Sequence, residues 1–188
     1  MSLLTVSTFL GLLALAAFVG ALGVIVVWAM DGIGLLPGAV ARLRGAVRPV
    51  APWLAFAVAA TAMAGSLYFS EVAGFVPCAL CWYQRIAMYP LALILGIAAV
   101  RGDPTAARYA LPLAVIGAAI SVWHIGVQRL PGLPSGSCSL DVPCSAIYVQ
   151  VLGFVTIPTM ALAGFLGIIT LLLLGRASGA DTELEEQP

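Results

Sequence analysis

Five long apolar stretches dominate the sequence and limit what it can fold into. The first runs from Leu3 to Met30 without a charge, and a helix that crosses a bilayer needs about 20 mostly apolar residues. The other four are predicted at about Ala51–Ser70, Ala79–Val100, Tyr109–Gln128 and Val151–Leu174, the last with a possible kink at Pro158. Only helices and closed barrels satisfy their backbone hydrogen bonds in lipid, and these stretches lack the alternation typical of barrel strands. We therefore expect five membrane-spanning helices.

The overall composition leads to the same class of protein. Hydrophobic residues make up 62% of the 188 residues and charged residues 9%, whereas a soluble domain has about 45–50% and about 25%. This excludes a soluble enzyme and a disordered chain. Eight Arg balance eight acidic residues and there is no Lys, so the basic face of a nucleic-acid binder is missing. The predicted fold class is an all-α integral membrane protein.

The distribution of Arg predicts the orientation in the membrane. The first stretch has no preceding positive charge and is too long for the core of a signal peptide, so we expect a retained helix. With five alternating helices, six Arg fall on one side, which the positive-inside rule makes cytoplasmic. They are Arg42, Arg44, Arg48, Arg101, Arg108 and Arg176. The N-terminus then lies outside, and the acidic tail 176–188 is predicted to be cytoplasmic and disordered.

All four cysteines lie in or beside the two outer loops of this topology: Cys78, Cys81, Cys138 and Cys144. An extracytoplasmic face is oxidising, so disulfides persist there. Two structural disulfides are one interpretation, although rings this short contribute only about 2 kcal/mol each. A four-cysteine zinc site is a second. Closely spaced pairs are better suited to thiol–disulfide exchange, because the second thiol resolves a mixed disulfide.

Two polar side chains accompany the cysteines. Arg85 follows Cys81 by four residues, so the two share a helix face. Arg85 either extends to lipid head groups or holds positive charge beside a thiolate and a reducible ligand such as a quinone. His124 is the only histidine and forms a polar stripe with Ser121 and Gln128. It either hydrogen-bonds within the bundle or contacts a bound quinone.

The segment Cys78–Pro90 resembles the signature of the DsbB family of membrane thiol:quinone oxidoreductases. Its Trp82–Arg85 and Met88–Pro90 elements are most similar to the BdbC branch, as are Pro143–Ser145 and Gly153–Pro158. The resemblance covers about residues 50–175. It implies a four-helix transmembrane bundle with a quinone near the outer surface, to which this chain adds an N-terminal helix.

The resemblance also implies roles for individual residues. Cys78 and Cys81 would be the quinone-coupled pair, Cys138 and Cys144 the pair that exchanges with a partner, and Arg85, Gln84 and His124 the residues near the quinone. The partner would be a DsbA-like thioredoxin-fold protein, and the cofactor ubiquinone or menaquinone. The implied function is reoxidation of that partner in the bacterial inner membrane, with the electrons passing to the membrane quinone pool.

The implied domain organisation has three parts. An extra helix and basic loop occupy residues 1–50, the bundle residues 51–175 and the tail residues 176–188. The resemblance assigns residues 1–50 no role. Two alternatives remain open: an enzyme like vitamin K epoxide reductase, whose C-x-x-C lies late in the chain, and a non-catalytic membrane scaffold with structural disulfides or zinc.

Overall fold

The computed structural model describes residues 2–130, 132, 133, 138 and 141–176. The elements are α1 Leu3–Gly32, α2 Ala39–Val47, α3 Ala51–Leu67, a π-helical turn Tyr68–Val72, α4 Ala79–Arg101, a 3-10 turn Pro104–Ala106, α5 Ala107–Arg129, strands β1 Gln150–Val151 and β2 Val155–Thr156, and α6 Ile157–Gly175. Residues 177–188, which contain most of the predicted disordered tail, lie outside the described residues.

Five helical segments among the described residues are long and apolar enough to cross a membrane. They are Leu3–Gly32, Ala51–Val72, Ala79–Arg101, Pro104–Arg129 and Ile157–Gly175. Large apolar side chains such as Leu4, Ile86 and Leu93 are exposed on them, as expected of surfaces that face lipid. The prediction of a multi-pass, all-α integral membrane protein is confirmed.

Helices α3 to α6 form a closed four-helix bundle. Helix α4 packs against α3 and α5, and α6 packs against the same two helices on the opposite side. Helix α1 lies outside this ring and makes its main helix–helix contact with α6. The predicted bundle with one additional N-terminal helix is therefore confirmed, and α1 is attached to its last helix.

The core of the bundle combines large side chains with very small ones. Leu91, Leu95, Phe165 and Ile168 are fully buried. A Cβ atom at Gly117 would overlap the ring of Phe165, so glycine lets α5 and α6 approach closely there. Small residues at helix contacts are the usual way to pack helices in lipid, where van der Waals contact replaces the hydrophobic effect between helices.

The predicted start of the last helix, at Val151, is wrong. Residues 150–156 form a β-hairpin instead, and its turn places Leu152 and Gly153 at positive φ. Helix α6 begins at Ile157, where the side chains of Thr156 and Thr159 form a reciprocal capping box. Pro158 lies in the first turn of this helix, where its missing N–H costs nothing, so it does not kink the helix.

Candidate functional site

The first cysteine pair is built by the start of α4. Cys78 is the N-cap residue in an extended conformation, and its Sγ accepts a hydrogen bond from the backbone N–H of Cys81 at 3.4 Å. Residues three apart at a helix start lie on one side, which brings the two Sγ atoms to 3.0 Å from each other. Both cysteines are free thiols here.

The second pair forms a disulfide that lies beside the first pair. Cys138 and Cys144 are bonded, with their Cα atoms 5.8 Å apart. Cys144 is 1% exposed and packs in one apolar cluster with Cys78, which is 3% exposed, while Cys138 is partly buried at its edge. The fold thus brings both predicted cysteine pairs together. Since Cys138 and Cys144 are bonded to each other, the four thiolates required by a four-cysteine zinc site are not all present.

His124 lies between the two pairs. Its Nε2 is 3.7 Å from the Sγ of Cys78 and 3.1 Å from the backbone carbonyl oxygen of Cys144. The imidazole is 1% exposed, and its Nδ1 has no hydrogen-bond partner among the described residues. The ligand atoms of His124, Cys78 and Cys81 lie within 4.8 Å of one another, a spacing that would also suit a metal ion.

The surroundings of Cys78 favour its thiolate. Its hydrogen bond with the thiol of Cys81 is the main cause that lowers the pKa of Cys78, to about 4, and burial opposes the effect. The hydrogen bond with His124 and the backbone N–H of Cys81 lower the pKa further. Since the thiolate is the nucleophile in thiol–disulfide exchange, Cys78 is the activated sulfur of the reduced pair.

Arg85 is partly buried and is hydrogen-bonded to Ser66 of α3. Its guanidinium donates from Nε to the Oγ of Ser66 and from an Nη to the backbone oxygen of Ser66, both at 2.9 Å. It also lies over the ring of Trp82, 5.2 Å from the centroid, and 6.0 Å from the ring centre of Tyr89. The hydroxyl of Tyr89 donates to the same Ser66 Oγ at 3.3 Å. These contacts orient the positive charge.

The predicted polar stripe on α5 faces the interior. Gln84, which is 6% exposed, donates from its side-chain amide to the Oγ of Ser121 at 2.9 Å. Gln128 donates to the carbonyl oxygen of Ala146 and accepts from the hydroxyl of Thr156 at 2.9 Å. The stripe therefore joins α5 to α4 and to the segment that follows the disulfide.

A cavity of about 450 Å³ lies beside this site. At one end it is lined by Cys81, Gln84, Arg85 and Tyr89, and most of the remaining lining is apolar. Cys78 and His124 are not among its lining residues. Both sulfurs of the C-x-x-C pair pack in the cluster that contains Cys144. Of the two, Cys81 also borders this cavity, whereas Cys78 does not.

Sequence reasoning did not find Ser66 or the contribution of α1 to the cavity. Ser66 is an isolated hydroxyl in an apolar helix, 19 residues before Arg85, and no local pattern connects the two. Leu10, Leu13, Ala14 and Ala17 of α1 line the cavity. The sequence of α1 does not reveal which of its faces lines the cavity, because the helix carries apolar residues on every face.

A buried dithiol beside a disulfide, within a helical bundle of the membrane, defines a membrane thiol–disulfide oxidoreductase. The family model described as "Disulfide bond formation protein DsbB" matches residues 48–175, and the chain belongs to this family. Its role is therefore in disulfide bond formation, which favours this chemistry over the scaffold and the vitamin-K-epoxide-reductase-like alternatives.

Bacterial relatives agree with this assignment. The chain is 52% identical to "Disulfide bond formation protein C" of Bacillus subtilis over 124 residues, which are 65% of this chain and 89% of that protein. It is 46% identical to "Probable disulfide formation protein C 2" of Bacillus anthracis over 65% of this chain and 88% of that one. For "Probable disulfide formation protein" of Oceanobacillus iheyensis the identity is 50%, over 60% and 79%. No solved structure matches the chain.

Proposed function

We propose that this protein reoxidises a DsbA-like thioredoxin-fold dithiol protein and passes the electrons to a membrane quinone. One observation carries the proposal: the C-x-x-C pair lies between the disulfide and the cavity. Cys78 packs with Cys144 on one side, and Cys81 lines the cavity with Arg85 on the other. A pair in this position can receive electrons from one side and release them on the other.

The cavity fits a quinone by the chemistry of its lining. Quinones combine a polar ring carrying two carbonyl oxygens with an apolar tail, and the cavity combines an end lined by Arg85 and Gln84 with a long apolar remainder. A bound quinone would supply the two-electron acceptor for the Cys78–Cys81 dithiol. Arg85 would hold positive charge at the end where Cys81 lies, since Ser66 fixes its guanidinium.

The chain's own cysteines then perform two exchanges. A thiolate of the reduced partner attacks Cys138, the less buried sulfur, and Cys144 leaves as a thiolate. The partner's second thiol attacks the mixed disulfide, which releases the oxidised partner and leaves Cys138 and Cys144 reduced. The partner has lost two electrons and two protons, and the second pair has gained them.

The second exchange transfers the disulfide within the chain. The Cys144 thiolate attacks Cys78 of an oxidised Cys78–Cys81 pair, a Cys78–Cys144 bond forms, and Cys81 leaves as a thiolate. Attack of Cys138 on Cys144 restores the Cys138–Cys144 disulfide and releases Cys78. His124 supports this step, because its Nε2 approaches the Cys78 sulfur. The product state has a Cys138–Cys144 disulfide and two free thiols at Cys78 and Cys81, which is the arrangement seen in the structure.

We further propose a location in the bacterial inner membrane, with the cysteines on the extracytoplasmic face. The opposite end of the bundle carries Arg42, Arg44 and Arg48 between α1 and α3, with Arg101 at the end of α4 and Arg108 at the start of α5. These positive charges support a cytoplasmic position for that end. The N-terminus is then outside and the C-terminus in the cytoplasm, and soluble partners reach Cys138 from the oxidising side.

An anaerobic assay tests the proposal. Purified protein in detergent is mixed with a reduced DsbA-like protein and a short-chain ubiquinone or menaquinone, and quinone absorbance and partner thiols are followed together. We expect one quinone reduced for each partner disulfide formed. Cys81→Ser and Cys138→Ser should each abolish turnover. If the wild-type protein reduces neither quinone class with several reduced partners, the proposal is wrong.

A further inference from the structure

We infer that α1, the helix outside the family bundle, forms one wall of a binding site for the isoprenoid tail of the quinone. This inference rests on the proposed function and identifies the part of the site that takes the apolar portion of the ligand. It assigns a role to a helix that the family match, residues 48–175, does not include.

The packing of α1 leaves a space on the side of α3. Gly11 lies against Val151 of the hairpin, where a Cβ atom would be 3.0 Å from the valine side chain. Ala17 approaches Gly167 of α6. The main contacts of α1 are therefore with α6, and the cavity occupies the space between α1 and α3, lined by Ala14 on one side and Thr61 on the other.

Contact between α1 and α3 closes this space near one end. The side chain of Leu10 packs directly against Gly65. A Cβ atom added at Gly65 would lie only 2.8 Å from Leu10 Cδ1. Leu10 and Gly65 both line the cavity at the level of Ser66, the residue that holds Arg85. Helix α1 thus covers the polar end of the cavity as well as its apolar part.

The shape and polarity of the cavity indicate an elongated amphipathic ligand. On α3 its lining extends from Leu54 to Ser66, which corresponds to about 18 Å at 1.5 Å per residue. The charged and amide groups are at the Cys81 end, and the opposite end is lined by apolar side chains such as Leu54, Ala17 and Leu171. A ligand with its polar ring beside Cys81 must direct its tail along α1. An isoprenoid tail satisfies this requirement.

The relatives indicate that this wall is an addition to the family fold. The match to the Bacillus subtilis protein uses 124 residues of this chain and covers 89% of that protein. The small remainder of that protein is too short to contain a helix of 30 residues such as α1. In a four-helix relative without a counterpart of α1, the same side of α3 and α6 would face lipid.

A matched pair of substitutions on α1 tests the inference. Ala14 is half-buried and lines the cavity, whereas Ala16 is exposed and does not line it. Ala14→Phe should fill part of the tail site, and Ala16→Phe adds the same side chain on the lipid side of the same helix. Binding is measured as quenching of tryptophan fluorescence by quinones that carry no tail or an increasing number of isoprenoid units.

We expect Ala14→Phe to weaken binding of the long-tailed quinones about tenfold, which is about 1.4 kcal/mol, and to leave the tailless quinone unaffected. Ala16→Phe should match the wild type throughout. Thermal unfolding reports whether Ala14→Phe is folded, and Ala14→Leu replaces it if it is not. Equal effects of Ala14→Phe and Ala16→Phe, or an equal loss for tailless and tailed quinones, would overturn the inference.

Two further outcomes separate this inference from neighbouring explanations. If Ala14→Phe lowers the amount of co-purified phospholipid and leaves the preference for long tails unchanged, the occupant is a lipid acyl chain and the inference is wrong. If the wild-type protein binds none of the quinones and none oxidises its Cys78–Cys81 pair, the proposed function itself fails. Tail-independent binding by a wild-type protein that still reduces quinone overturns only the role of α1.

Discussion

The Nε2 atom of His124 lies 3.7 Å from the Sγ of Cys78, inside the bundle and 46 residues away in sequence. The same nitrogen is 3.1 Å from the carbonyl oxygen of Cys144. One imidazole therefore contacts both cysteine pairs. The pKa of the Cys78 thiol therefore depends on a side chain of α5.

Replacing His124 with Ala should raise the pKa of Cys78. The largest cause that lowers this pKa to about 4, the hydrogen bond with Cys81, is kept in the variant, whereas the hydrogen bond with His124, a further cause, is lost. Because only the thiolate is alkylated, the midpoint of the pH dependence of Cys78 alkylation should shift upwards. Iodoacetamide labelling of the reduced protein across a pH series, resolved by mass spectrometry, measures this midpoint. Trp123→Phe, at an exposed neighbour, is the control, and an unchanged midpoint in His124→Ala would contradict the assignment.

The lowered pKa of Cys78 also predicts how stability depends on pH. Between about pH 4 and pH 9 the native reduced protein binds fewer protons than the unfolded chain, whose cysteine pKa is 9.0. The contribution of Cys78 to stability should therefore grow with pH across this window, be complete near pH 9 and be lost as the pH falls to 4. Thermal unfolding of the reduced protein measures the slope. Protein with an oxidised Cys78–Cys81 pair should lack this part of it.

Ser66 should act as a positioning residue for Arg85. Ser66→Ala removes the acceptor of the Arg85 Nε–H and of the Tyr89 hydroxyl. We expect the KM for quinone to rise about tenfold, or about 1.4 kcal/mol, with the KM for the reduced partner unchanged. Ser70→Ala is the matched control, because Ser70 also lines the cavity. Its hydroxyl donates to the backbone oxygens of Ser66 and Leu67 and to the carboxylate of Glu71, and not to the Ser66 hydroxyl. Equal effects of the two substitutions would show that Arg85 does not depend on Ser66.

The difference in burial between Cys138 and Cys144 predicts which disulfide each variant traps. In Cys144→Ser the partly buried Cys138 remains as a thiol, and its thiolate should attack the disulfide of an oxidised partner, so that a Cys138–partner mixed disulfide accumulates as the partner's other sulfur leaves as a thiolate. In Cys138→Ser the buried Cys144 remains next to Cys78, and after oxidation by quinone an internal Cys78–Cys144 bond should accumulate instead. Non-reducing electrophoresis and peptide mapping distinguish the two products. The reverse pattern would place the partner's attack on Cys144.

Gly117 should be essential for the packing of α5 against α6. A Cβ atom there would overlap the fully buried ring of Phe165, so we expect Gly117→Ala to destabilise the protein by about 1–3 kcal/mol. Gly20→Ala is the control, since that helical glycine has no atoms within 4 Å of a Cβ position. It should be neutral or slightly stabilising. Thermal unfolding in detergent compares the two, and equal melting temperatures would refute the packing argument.

Local patterns in the sequence were sufficient for much of the fold. The length and polarity of each apolar stretch predicted five spanning helices, because a backbone in lipid has few alternatives to a helix. The predicted bounds fail where two local preferences compete. The apolar run that begins at Val151 predicts helix, whereas Leu152 and Gly153 adopt positive φ in a hairpin turn and the capping box starts the helix at Ile157.

The arrangement of the cysteines could also be predicted from local sequence. The spacing that puts Cys78, Cys81 and Arg85 on one helix face is a local property, and so is the resemblance to the DsbB family. The sequence by itself therefore determined the class of protein, the number of membrane-spanning helices and which cysteines form pairs of close neighbours. The functional roles of the individual site residues stay predictions that the variants above test.

Only the tertiary structure decided what each of these residues contacts. Three of these contacts join residues from different helices. Ser66 of α3 accepts a hydrogen bond from Arg85 of α4, His124 of α5 lies between the two cysteine pairs, and α1 packs on α6. Hydropathy cannot specify these contacts, because an apolar helix presents similar surfaces to lipid and to its neighbours. Shape complementarity at small residues such as Gly11, Gly65 and Gly117 selects the neighbours. That packing places the cavity between α1 and α3 and leaves Cys81 on its border.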